Sequence, residues 1–143
     1  MRMSLVMTEQ ERQEFLAGVH VGVVAVNREG RAPLAVPIWY DYVPGGEVLI
    51  WISRGSVKER LLREAGRFSI CAQVETAPYK YATAEGPVIA IDEEPTEEQA
   101  LRIAGRYLSA EDAAKWVTDN LGADSLLVRM RPEKWLSTDY SKA

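Results

Sequence analysis

The chain has 143 residues, 47% hydrophobic and 27% charged, with a net charge of −4. It is long enough to bury a core and fits one domain, it is too apolar for disorder, and its acidic balance argues against a nucleic-acid surface. The single cysteine, Cys71, excludes an intramolecular disulfide and suits a reducing cytosol, and no apolar run reaches the roughly 18 residues of a membrane span.

Met1 to Val6 have neither the apolar core nor the cleavage site of a signal peptide, so a cytoplasmic location is expected. Thr8 and Glu11 have capping-box spacing and open a helix expected over residues 8–17, ending near Gly18. Val19 to Val26 is almost continuously apolar and β-branched, which predicts a strand covered on both faces. A turn at Asn27 to Gly30 leads to a second β-type run, Ala32 to Val43. In it Leu34, Val36, Ile38, Tyr40 and Tyr42 share one face. Pro37 has no N–H for a ladder, so it marks an edge, a bulge or a place where something other than a strand lies alongside. Pro44-Gly45-Gly46 makes a hairpin turn into a strand from Glu47 to Ser53.

Trp51 to Arg60 then runs from strand through a turn at Gly55 into a short helix. Arg54, Lys58 and Arg60 gather there with the hydroxyls of Ser53 and Ser56. Two readings of this stretch stand side by side. A helix N-terminus with nearby cations can hold a phosphate. Ser56-x-x-Glu59 is also capping-box spacing, which satisfies the first turn without any ligand.

Gly66 ends that helix, and Arg67 to Glu75 alternates as a half-buried strand. Tyr79 to Ile91 is a long β-type run with a bulge or bend expected at Gly86-Pro87. Thr96 caps the first of two helices spanning about 96–121, and Asp124 to Arg131 returns to strand before a tail containing Trp135 and Tyr140. Six strands with hairpin connections predict a mainly β fold, a small antiparallel barrel with peripheral helices packed outside it.

Hydrolytic and metal chemistry are poorly supplied. His20 is the only histidine and reads as a structural residue in a buried strand, the serines have no evident base, and Cys71 reads as a small core filler. The aromatic residues Trp39, Tyr40, Trp51, Tyr79 and Tyr81 fall in strands beside the cation-rich turn. They fill hydrophobic faces, and some of them can also wall a flat ring whose phosphate tail reaches the cations.

The succession Val23-Val24-Ala25-Val26, Gly30-Arg31-Ala32-Pro33, Val36-Pro37-Ile38-Trp39-Tyr40, Gly55-Ser56-Val57-Lys58-Glu59-Arg60-Leu61-Leu62 and Tyr79-Lys80-Tyr81-Ala82-Thr83-Ala84-Glu85-Gly86 resembles the pyridoxamine-5′-phosphate-oxidase-like flavin-binding split barrel. Its closest likeness is to the flavin- or deazaflavin-dependent oxidoreductase branch. The resemblance implies one domain over residues 1–143, a six-stranded antiparallel split β-barrel, and a homodimer with cofactor sites at the interface. The cofactor implied is the deazaflavin coenzyme (F-420) or FMN. By this resemblance Val36, Pro37 and Ile38 lie along the ring, Trp51, Ile52 and Ser53 run beside the ribityl chain, and Ser56, Val57 and Lys58 bind the phosphate with help from Arg54 or Arg60. Tyr79 and Tyr81 approach from the partner subunit or wall the pocket. No catalytic acid or base is implied.

Two departures from the family pattern bear on function. The tail Trp135 to Tyr140 lacks the Arg/His motif that grips the vitamin phosphate, which argues against vitamin B6 oxidation. Deazaflavin-binding relatives often carry a second cation where this chain has Ser56, a charge that Arg54 is available to supply. The expected activity is hydride transfer between the cofactor and a small unsaturated or redox-active molecule, with no nucleic acid and no membrane as partner. The alternatives are a non-enzymatic module binding a flavin, haem or tetrapyrrole, and a structural dimerisation domain.

Overall fold

A computed structural model describes residues 4–143; Met1 to Met3, on which part of the no-leader expectation rests, lie outside them. The element order is α1 (Glu9–Ala17), β1 (Gly22–Arg28), β2 (Arg31–Ile38), β3 (Tyr40–Tyr42), β4 (Val48–Ser53), α2 (Val57–Ala65), β5 (Arg67–Val74), β6 (Lys80–Asp92), α3 (Glu97–Tyr107), α4 (Ala110–Asn120), β7 (Ser125–Met130) and β8 (Lys134–Asp139), with a last 3₁₀ turn (Tyr140–Lys142). Helix starts follow from local chemistry. Thr8 and Glu11 form the expected reciprocal box, and Thr96 with Gln99 forms another. Gly66 ends α2 in the left-handed region at φ 69°, the position where a missing Cβ is favoured. No helix among the described residues is long and apolar enough to cross a membrane.

The strands form one curled antiparallel sheet in the order β2-β1-β5-β6-β7-β4-β3, with β8 pairing β6 off this path. β6 carries the curl: its first half lies between β5 and β8, and its second half pairs β7. The expected bend near Gly86-Pro87 appears as a register shift between Val88 and Ala90. Gly86 itself is needed for a different reason. A Cβ there would collide with the backbone carbonyl of Arg131, where the β7–β8 connection crosses β6 and bonds to it through Glu133 N–H to Glu85 (2.8 Å).

Among the described residues eight strands are present where six were expected. The run from Ala32 to Val43 is two strands rather than one, because the chain leaves the ladder at Trp39: β2 pairs β1, and β3 crosses to pair β4. The tail forms a further strand, since its inward polar residues are satisfied. Buried Ser137 accepts from Met7 N–H (3.2 Å), and Asp139 accepts from the N–H and hydroxyl of Ser141.

The main core sits inside the curl. Val24, Ile50, Leu62, Ile70, Leu126 and Val128 are fully buried there, with Leu61 and Leu62 of α2 closing one end. A second cluster joins α3 and α4 through Ala100, Ala104, Ala113 and Val117, whose small side chains let the two helices approach. Trp39 and Trp51 pack against this cluster and fix the helical pair to the outside of the barrel. The expectation that β1 is covered on both faces is corrected. Val24 and Val26 point into the core, while Val23 stands exposed on the sheet's other face and Val21 is exposed just before the strand.

Candidate functional site

Pairing leaves two strand edges free beside each other. β2 is the end of the sheet, so its far edge has no partner, which is where Pro37 is tolerated. β3 covers β4 only at Val48 to Ile50, so Trp51 to Ser53 run on with β7 on one side and, among the described residues, no strand on the other. A cleft of about 270 Å³ opens at this split. Ile38, Trp39, Trp51, Ile52 and Ser53 line it from the sheet, and Ile103, Trp116 and Asn120 from α3 and α4; Asp124 and Ser125 stand at the start of β7.

Three tryptophans and three isoleucines make up the apolar walls of the cleft, and Trp39 is held in place. Trp39 stacks on Tyr107 with centroids 4.9 Å apart and 9° between planes, and Trp116 tilts against Trp39 at 5.3 Å. The Tyr107 hydroxyl donates to the His20 carbonyl (2.6 Å) and accepts from Tyr40 N–H (3.2 Å), which fixes the stack. At the other wall the Asn120 side-chain amide donates to the Trp116 backbone carbonyl (2.8 Å), which orients Asn120 on α4. Asp124 and Ser53 are exposed at the rim.

The turn after β4 leads from this cleft into α2. Gly55 holds φ +78°, and Ser56 N–H closes back on Ser53 O (3.2 Å). The expected capping box is only half formed. Ser56 Oγ accepts from Glu59 N–H (3.1 Å), but the Glu59 carboxylate accepts from Gly55 N–H (2.6 Å), because Ser56 N–H is already taken by the turn. The N–H groups of Val57 and Lys58 have no acceptor among the described residues.

The cations of this stretch separate into engaged and free. Arg54 binds Glu93 (2.9 Å) and the Ala123 carbonyl, Arg63 bridges Glu59 and Glu93, and Arg60 pairs with Glu64 at 3.6 Å. These partners hold the Glu93 carboxyl below its usual range, Arg54 first and Arg63 second. The Gly55 N–H and then Arg63 do the same for Glu59. Lys58 is half-buried and has neither a carboxylate nor a hydrogen-bond partner among the described residues.

Of the residues that the sequence nominates, the cleft itself gathers Ile38, Trp51, Ile52 and Ser53. Ser56, Val57 and Lys58 follow one turn further on. Val36 is half-buried on β2 and Pro37 lies on the exposed face; Arg54 and Arg60 are turned to carboxylates. Tyr81 shares a sheet face with Pro37 but lies three strands away, about 14 Å at ordinary strand spacing. Tyr79 is exposed just before β6, and the Tyr81 hydroxyl accepts from Thr138 Oγ1 (3.0 Å). Sequence reasoning missed Ile103, Trp116, Asn120 and Asp124. Trp116 was one more apolar residue at helical spacing, and nothing local says that α4 roofs a strand edge.

His20 is a satisfied structural histidine as expected, though it lies in the loop before β1 rather than in a strand. Its Nε2 donates to Phe15 O (3.0 Å), its ring stacks on Phe15, and burial pushes its pKa down. Cys71 is a half-buried residue of the open sheet face rather than a core filler.

No protein-family model matches the chain, and no curated protein does either. Solved structures do match. The conserved hypothetical protein Rv2991 of Mycobacterium tuberculosis superimposes with a TM-score of 0.77 at 24% identity, over 99% of this chain and 90% of that one. An F420 reductase gives 0.69 at 21% identity, over 87% and 94%. A proposed pyridoxamine 5'-phosphate oxidase from Listeria innocua gives 0.67 at 13%, over 90% and 96%. At these identities the likeness establishes the fold alone: mainly β, with a curled antiparallel half-barrel sheet and four helices.

Proposed function

We propose that the chain is a flavin-type oxidoreductase that works as a homodimer and binds the deazaflavin coenzyme or FMN at the barrel split. The observation that carries this reading is Lys58. Among the described residues it is an unpaired cation next to two unpartnered N–H groups at a helix start, one turn beyond the cleft that Trp39, Trp51 and Trp116 help to line. A phosphate satisfies all three groups at once. The ring then lies in the split against the free edges of β2 and β4, between tryptophan walls that exclude water.

The fold shared with an F420 reductase favours the deazaflavin coenzyme. The engagement of Arg54 with Glu93 favours FMN, because the charge available to replace a cation at position 56 is already committed. When bound, either group supplies hydride exchange with a small unsaturated or redox-active molecule. The chain's own residues bind and orient it: Lys58 and the α2 N–H groups hold the phosphate, Trp51 to Ser53 flank the chain that joins it to the ring, and Trp116 shields the cleft from α4. Tyr79 and Tyr81 complete the site from the partner subunit, because within one chain Tyr81 stands three strands from Pro37.

A second reading, a non-enzymatic flavin-binding module, is favoured by the lining of the cleft, whose one ionisable side chain, Asp124, is exposed at the rim rather than held inside to deliver a proton. Haem fits less well. The lining has no His, Cys or Met, and His20 is bonded to Phe15 O.

Titration of the full chain with FMN, the deazaflavin coenzyme and haem, followed by absorbance and tryptophan fluorescence, tests the proposal. Saturable binding of a flavin-type cofactor at one per chain is expected. Binding of none of the three overturns both readings. Anaerobic reoxidation of the reduced cofactor by candidate acceptors then separates enzyme from carrier.

A further inference from the structure

A second cleft, of about 360 Å³, lies where α1, the β3–β4 hairpin and the β7–β8 connection meet, and it shares no lining residue with the cleft at the split. Arg12 is its centre. The guanidinium carbon stands 5.1 Å from the centroid of Trp135, which in turn meets the ring of Tyr42 edge-on at 6.0 Å. Arg12 has no carboxylate partner among the described residues, and its Nε–H is buried without an acceptor. Arg131 lines the same cleft, with its charge answered by Glu133 at 3.1 Å.

We infer that this cleft is a binding site for a small carboxylate ligand, held by the Arg12 guanidinium against Trp135. Arg12 Nε is covered, but the two terminal nitrogens have no partner among the described residues, and a planar carboxylate accepts from both at once while it answers the unpaired charge. Arg131 is already answered by Glu133, so Arg12 offers one open positive charge, which suits a monoanion better than a phosphate dianion held beside Glu9 and Glu133. The inference does not depend on any cofactor at the split.

The test uses the ¹⁵N-labelled full chain titrated with benzoate, acetate and inorganic phosphate, following the Arg12 Nε–H and Trp135 indole resonances. Saturable shifts with the carboxylates are expected, with phosphate weaker. In Arg12→Lys, which keeps the charge and loses the two-pronged guanidinium, affinity falls by about tenfold, the worth of one charge-assisted hydrogen bond. No saturable shift, unchanged affinity in Arg12→Lys, or tighter binding of phosphate than of either carboxylate overturns the inference. Should Arg12→Lys fail to fold, the titration is read in Arg131→Gln, where several-fold weaker carboxylate binding is expected and an unchanged constant overturns the site.

Discussion

Around the turn that follows β4, Arg54, Arg60 and Arg63 are each committed to a glutamate, and Lys58 is not. If the proposed cofactor binds there, Lys58→Ala should weaken it by about 1.5–3 kcal/mol, the range for a hydrogen bond to a charged group. Isothermal titration of wild type and variant reads this directly, and equal affinities would place the phosphate elsewhere. Arg60→Ala is the control, with affinity expected to stay near wild type because that side chain is exposed and paired with Glu64. A second residue-scale prediction concerns pH. The Lys142 ammonium, bonded to Glu11 at 2.6 Å, and then the Thr8 N–H lower the Glu11 carboxyl from 4.5 to about 2. Its folded pKa lies below its unfolded one, so its contribution is present above about pH 4.5 and fades as pH falls towards 2. Urea midpoints of wild type and Glu11→Gln should therefore differ at pH 6 and converge by pH 2; a gap independent of pH would contradict the linkage. Lys58 was visible in the sequence as one of several cations. Its isolation was not, because which arginines find carboxylates depends on Glu93, some 30 residues away in the chain. The capping box at Ser56 misled for a related reason: spacing says that Glu59 reaches back, but not that the turn at Gly55 has already occupied Ser56 N–H.

Elements were legible where their signals are local. The helix starts at Thr8 and Thr96, the Gly66 stop and the edge position of the Pro37 strand all follow from side chains within a turn or from the missing proline N–H. The break at Trp39 was not legible, since an apolar aromatic in a β-type run gives no sign that the chain changes partners from β1 to β4. Gly86 shows the same limit. The sequence marks a bend, whereas the structural demand is room for a distant backbone. Gly86→Ala should therefore destabilise by about 3 kcal/mol, at the upper end of overpacking costs, because the obstructing atom belongs to the Arg131 backbone and not to a side chain that can move aside. Gly105 makes the contrast. It is exposed within α3 with nothing near the position of a Cβ, so Gly105→Ala should stabilise by about 1 kcal/mol through helix propensity alone. Urea denaturation of the two variants should move in opposite directions, and a destabilised Gly105→Ala would show that α3 is constrained there by something beyond its own chain.

At the scale of the whole molecule, the continuous apolar run at β1 and its half-exposed position in one chain are in tension. Strands that read this way are ordinarily covered on both faces. The uncovered side is a band that crosses the sheet through directly paired residues: Pro37, Val23, Cys71, Thr83 and Leu136. Val23 is 38% exposed and Leu136 63%, and Val21 and Tyr79 lie exposed near the same region. A second copy laid face to face would cover this band isologously and would bring Tyr79 and Tyr81 of one chain toward the split of the other. Val23→Glu separates the alternatives. In a monomer the new carboxylate stays in water, and neither fold nor sedimentation should change. In a homodimer it would be buried near its own symmetry mate without a partner, so association should fail while the far-ultraviolet circular dichroism stays intact. Sedimentation velocity at micromolar concentration should therefore give a dimer for wild type and a monomer for Val23→Glu. The monomeric variant should also lose affinity for the cofactor, although Val23 lines neither cleft, because the partner's tyrosines would be gone. A wild-type chain that sediments as a monomer would leave the exposed face of β1 without its proposed cover and would require the site at the split to be complete within one subunit.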